Sequence, residues 1–122
     1  MGMVSHIVIY EEDDLMRALL KEWLSQAGHC VREAEPGRPQ REATEDLVIV
    51  SLYMPKEAGA QLRKVQAEHP GTPLIAISGQ FRSGLSAAGL TAHLLGVQQV
   101  LAKPLERADL LDAVRTVIHG SG

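Results

Sequence analysis

Leu47-Val48-Ile49-Val50 is an unbroken apolar run that ends in Ser51, with Glu45-Asp46 before it and Met54-Pro55 after it. Neither side of such a segment suits water, and it is too short for a buried helix. It reads as a strand at the centre of a parallel sheet covered on both faces. Ser51 then stands at the carboxyl end of that strand, the edge at which open α/β sheets build their sites. The chain around it decides what Ser51 meets there.

Ser5 to Tyr10 reads as a first strand and runs directly into the acidic cluster Glu11-Glu12-Asp13-Asp14. Leu15, Leu19 and Trp23, with Met16, Leu20, Leu24 and Ala27 beside them, predict an amphipathic helix that Asp13 or Asp14 caps and Ala27-Gly28 ends. Cys30 to Ala34 is a short second strand. The stretch Glu35 to Asp46 holds Pro36, Gly37 and Pro39 and, in Ala43, one residue that could pack, so any helix there is short and poorly anchored. After the central strand, Ala58, Leu62, Val65 and His69 mark a helix closed by Pro70-Gly71, and Pro73 to Ser78 forms a fourth strand. Arg82 to Leu95 is a fourth helix weakened by Gly84 and Gly89. Gln98 to Ala102 is a fifth strand, and Leu110, Leu111, Val114, Val117 and Ile118 define a final amphipathic helix. Strands alternating with helices over short links give a parallel sheet joined by right-handed crossovers.

With 122 residues and 45% hydrophobic content, the chain is long enough for one real core, and 3% aromatics leave that core aliphatic. A single domain over residues 1–122 is expected, with flexible ends at 1–4 and 120–122. The net charge of −3, without a basic run, argues against nucleic acid as a partner of this domain. No apolar run is long enough to span a membrane and no secretion signal opens the chain, so the expected location is cytoplasmic. Cys30 is expected to be a buried, inert thiol. The five histidines, His6, His29, His69, His93 and His119, lack metal-ligand spacing and are expected in structural or surface roles. Trp23 is expected in the core.

Four strand ends therefore aim polar groups at one edge: Glu11 and Glu12, Ser51, Ser78 and Lys103. Together with Arg17 in the first helix, Met54-Pro55 three residues beyond Ser51, Ile77-Ser78-Gly79 and Lys103-Pro104, this order resembles the response-regulator receiver domain of two-component signalling over essentially the whole chain. The resemblance implies a flavodoxin-like three-layer fold, a five-stranded parallel sheet of order 2-1-3-4-5 with helices on both faces. It also implies a pocket in which an acidic pair binds a divalent cation, an aspartate accepts a phosphoryl group, and a hydroxyl and a lysine hold the phosphoryl oxygens.

Carried over, Glu11 and Glu12 fall on the acidic pair, Ser78 on the hydroxyl and Lys103 on the lysine, while Ser51 falls where the phosphoacceptor aspartate belongs. A serine supplies neither the carboxylate that attacks nor the charge that ligates magnesium. Glu11 and Glu12 each add a methylene, which near-octahedral magnesium tolerates badly, Glu12 being the graver change. The resemblance also points to Ala58-Gly59 where an acidic residue is common, and to Val100 where an aromatic switch residue is common. No catalytic residue and no cofactor are therefore expected, with weak Mg2+ binding through Glu11 and Glu12 at most, and Lys103 is expected to pair with Glu11 or Glu12.

The expected function is an atypical receiver, a pseudo-receiver, acting without phosphorylation as a protein-interaction module and not as an enzyme. Its partner would be a histidine kinase, another regulator or an output domain. The alternatives are a conventional phosphorylatable receiver with an altered acceptor site, or a small α/β enzyme using Ser51, for which no Gly-x-Ser-x-Gly elbow is present. Three structural expectations follow from the same reading: a cis Lys103-Pro104 bond, low protection over Glu35 to Asp46, and any homodimer resting on the fourth helix, fifth strand and last helix through Leu90, Leu94 and Val97.

Overall fold

The structure is a computed structural model, and it describes residues 5–34, 45–52, 58–78 and 96–119. Its elements follow as β1 (His6–Tyr10), α1 (Asp14–Gln26), β2 (Cys30–Glu33), β3 (Leu47–Leu52), α2 (Ala58–Glu68), β4 (Leu74–Ser78), β5 (Gln99–Ala102) and α3 (Arg107–His119). The five strands make one sheet in the order β2-β1-β3-β4-β5, every neighbouring pair parallel. This is the expected flavodoxin-like sheet. The fourth helix expected over Arg82 to Leu95 lies outside the described residues, as do Leu90 and Leu94.

All six residues of β3 are buried, the apolar run Leu47 to Val50 together with Ser51 and Leu52. Strand alternation then divides the core in two. Ile7, Ile9, Leu47, Ile49, Ile75 and Ile77 face α1 and α3, where they meet Leu20, Leu24, Leu110 and Val114. Val8, Tyr10, Val48, Val50, Leu52, Leu74 and Ala76 face the other way and meet Leu62 and Val65 of α2. The central strands, rich in Val, Ile and Leu, suit this close packing between layers.

Local signals set the ends of α1. Asp13, in extended backbone, accepts the Met16 N–H at 2.8 Å and so caps the helix. Ala27 ends it, and Gly28 follows at φ 95°, a conformation that side chains disfavour. Lys103-Pro104 is cis, as expected.

Several expectations change. Leu15 is 71% exposed, so the buried stripe of α1 runs through Leu20 and Leu24 with Met16 and Trp23 packed beside them. Leu15 sits in the first turn, ahead of the part of the helix that lies on the sheet. Cys30 is exposed and not buried, because it opens β2, an edge strand of the sheet. Val97 is 6% exposed and packs into the α2-side core, which removes it from any constitutive dimer surface. Of the stretch Glu35 to Asp46, residues 35–44 lie outside the described residues. Its last two are held: Glu45 is buried and ion-paired with Arg32, and the Asp46 carboxylate accepts the His6 N–H at 2.7 Å.

Candidate functional site

The register carries β1, β3, β4 and β5 to a common carboxyl edge. Tyr10 pairs with Val50, so Glu11, the next residue, stands beside Ser51, which itself pairs with Ile77. Ser78 pairs with Leu52 and Ala102, and Lys103 follows Ala102 directly. The four positions read from sequence, Glu11, Ser51, Ser78 and Lys103, thus share one edge of the sheet. Glu12, the residue after Glu11, is exposed.

Glu11 is the centre of the arrangement, with its side chain 0% exposed. Its Oε1 accepts the Ser51 hydroxyl at 2.5 Å. The same oxygen lies 3.9 Å from Lys103 Nζ, and Oε2 accepts the Asp13 N–H at 3.0 Å. A buried carboxylate is costly unless its oxygens are hydrogen-bonded and its charge is countered, and both conditions are met here. The longer reach of glutamate is what lets a residue just past β1 bond the end of β3. Ser51 and Ser78 are both buried, at 1% and 2% exposure, and the Ser78 carbonyl accepts the Lys103 N–H at 3.3 Å.

Two residues outside the expected set fasten this edge. Gln61 of α2 donates from Nε2 to the Ser51 carbonyl at 3.1 Å. Arg17 donates from one terminal nitrogen to the Glu11 carbonyl at 3.0 Å, pairs through the other with Asp14, and through Nε with Glu33 at 2.7 Å. Glu33 also takes Lys21 at 2.6 Å, so α1 is clamped to β2 by two cations on one carboxylate. Sequence spacing gives no signal for Gln61 or Glu33, since the contacts join different elements.

A second polar cluster lies on the α2 side. The Tyr10 hydroxyl donates to Glu68 Oε1 at 2.7 Å, and His69 Nε2 lies 2.7 Å from the Tyr10 hydroxyl oxygen. The phenol has one proton and gives it to Glu68, so Nε2–H of His69 donates to the phenol oxygen. Burial and the Glu68 carboxylate push the Tyr10 phenol well above its usual range, and burial lowers the His69 imidazole. His69 was expected to be structural, and here it is. Among the described residues no group of three or more His, Cys, Asp or Glu could hold a metal ion, and no helix is long and apolar enough to cross a membrane.

Comparison with known proteins agrees with this architecture. The family model for the response regulator receiver domain matches residues 7–115. TorR of Escherichia coli K12, the TorCAD operon transcriptional regulatory protein, is 27% identical over 120 residues, covering 95% of this chain and 51% of that protein. Protein-glutamate methylesterase/protein-glutamine glutaminase 2 of Burkholderia thailandensis is 35% identical over 120 residues, covering 91% of this chain and 33% of the enzyme. The chain thus spans about half the length of TorR and a third of the methylesterase. Among solved structures, a response regulator from Thermotoga maritima superposes with a TM-score of 0.75 at 20% identity, covering 95% of this chain and 98% of that one. NtrX from Brucella abortus superposes with a TM-score of 0.78 at 21% identity, covering 98% of this chain and 28% of that one. With its sheet order and the family match over residues 7–115 in agreement, the chain belongs to the response regulator receiver domains of two-component signalling.

Proposed function

We propose that this receiver domain is a pseudo-receiver, an interaction module that works without phosphorylation of its central strand. The observation that carries the reading is the bond from Ser51 to Glu11 Oε1, the oxygen that also faces Lys103. In the place of an acceptor aspartate stands a buried hydroxyl that already serves as a donor. A phosphoryl group arriving there would meet no carboxylate on β3 and would have to displace a satisfied buried contact.

The donor set does not fit a resident magnesium ion. Ser51 offers a neutral oxygen, Glu12 is exposed, and the Glu11 oxygens are engaged by Ser51, Lys103 and the Asp13 backbone. A hard dication that prefers several carboxylate and water oxygens in octahedral array finds one suitable carboxylate. An enzyme using Ser51 is disfavoured because the residue is 1% exposed and its hydroxyl is already given to Glu11.

Interaction is then what remains for the domain to do, with a histidine kinase, another regulator or an attached output domain as partner. TorR and the methylesterase both join their matching segment to further sequence, which supports an output domain as one such partner. The test is incubation with magnesium and either beryllofluoride or a small phosphodonor, followed by intact mass and amide chemical shifts. We expect no adduct and unchanged shifts at Ser51, Ser78 and Lys103. A stoichiometric phosphoryl adduct, or saturable shifts at this edge, makes the domain a conventional receiver with an altered acceptor.

A further inference from the structure

A groove of about 670 Å3 runs between the end of α1 and α3, away from the strand-end site. Arg107, Leu111, Arg115 and His119 recur every four residues along α3 and form one wall, and His29 faces them from the turn after α1. Among the described residues Asp112 is the single acid of the lining. In a chain of net charge −3 this concentrates two arginines and two imidazoles against one carboxylate.

We propose that this groove docks an acidic peptide segment of a partner protein, one that carries an aliphatic side chain among its carboxylates. The row from Arg107 to His119 spans about 18 Å at the helical rise, the reach of roughly five extended residues. Leu111 interrupts the row of cations with an apolar step that is partly buried against the core, which suits one aliphatic residue of the ligand. Arg107 has no ion-pair partner among the described residues. Arg115 pairs with Asp112, but both side chains are about two-thirds exposed, at 70% and 67%. Such a surface pair is weak and exchanges readily for a ligand carboxylate. His29 is half-buried, and both its burial and the nearby His119 lower its affinity for a proton. A bound carboxylate opposes both effects, so with Arg107, Arg115 and Asp112 as the other charges facing the pair, docking strengthens as the pH falls. Among the described residues the groove is lined by no Phe, Tyr or Trp, the broad faces on which a nucleotide base stacks best, which favours a peptide over a nucleotide. The proposal does not depend on Ser51, and a phosphorylatable domain would keep it.

The probe is a fluorescein-labelled hexapeptide of glutamate and aspartate with one leucine, followed by anisotropy and by amide shifts, beside a glutamine and asparagine version and inorganic pyrophosphate. We expect shifts confined to residues 27–29 and 107–119, and binding roughly tenfold weaker in the Arg107→Ala, Arg115→Ala double variant, a change within the range that paired interfacial charges command. Both arginines are exposed, so the variant's unchanged amide spectrum elsewhere verifies its fold. Binding is expected to strengthen as the pH falls through about 6.5 and below, because the free His29 imidazole takes up its proton below that ordinary value. No binding at millimolar peptide, shifts mapping elsewhere, equal binding of the amide peptide, or loss to competing pyrophosphate at equal concentration each overturns the proposal. Concentration-dependent shifts of the groove without peptide also overturn it, by assigning the groove to a second copy of this chain.

Discussion

Glu11 shows how one extra methylene changes what a strand end can do. An aspartate in its place would fall short of Ser51 Oγ, whereas the glutamate bonds it and brings the same oxygen to within 3.9 Å of Lys103. Adding a carboxylate at Ser51 therefore sets two negative charges side by side in a sealed layer. We predict that Ser51→Asp destabilises the domain by about 1–3 kcal/mol without metal, through like-charge repulsion that Lys103 relieves in part. Magnesium should raise the melting temperature of this variant and raise it further in the triple variant with Glu11→Asp and Glu12→Asp. Thermal melts with and without magnesium check the series. A parent protein whose melting temperature rises as much as that of the triple variant would sink the reading of this edge as unsuited to magnesium.

At the level of single elements, α1 separates what a helix contains from what it buries. Its sequence allows two neighbouring stripes, one centred on Leu15, Leu19 and Trp23 and one on Leu20 and Leu24. The second is buried, with Trp23 packed beside it, and in this rotation Arg17 and Lys21 meet Glu33 on β2. Leu20→Ala should cost about 2–5 kcal/mol, the range for emptying a packed leucine site. Leu15→Ala, at a position 71% exposed, should change stability by about 0.5 kcal/mol or less. Urea denaturation of the two variants distinguishes them, and equal losses would mean that the helix sits in the other rotation.

Across the whole molecule, the paired cores on the two sheet faces leave a pH signature through Tyr10 and His69. The folded state lowers the His69 imidazole below its unfolded value of about 6.5. As the pH falls past that value the unfolded chain takes up the proton first, so stability present at neutral pH is lost toward the lower folded value. His29 acts in the same direction. Tyr10 is raised above its unfolded value of about 10, so its contribution is present below that pH and is lost as the pH rises beyond it. Melting temperature against pH should fall at both ends, with His69→Gln flattening the acid limb and Tyr10→Phe the alkaline one. An unchanged acid limb in His69→Gln would show that the Tyr10–Glu68–His69 cluster does not couple protonation to folding.

Periodicity and strand-end chemistry in the sequence alone were enough to define the layers. Apolar runs such as Leu47 to Val50 can be satisfied only between two covering faces, and Glu11, Ser51, Ser78 and Lys103 are each fixed at an edge by the polar residue that ends a run. Their meeting at one edge needed the strand order, which the local pattern does not contain and the family resemblance supplied. Tertiary structure decided everything that depends on a partner from another element. Cys30 is exposed because its strand lies at the edge, and Val97 is buried because it packs on the α2 side. Glu45 is buried because Arg32 reaches it from β2, and Glu11 bonds Ser51 because adjacent strands set them side by side. Hydropathy is a property of each residue, whereas burial and pairing are properties of the neighbours that the fold brings to it.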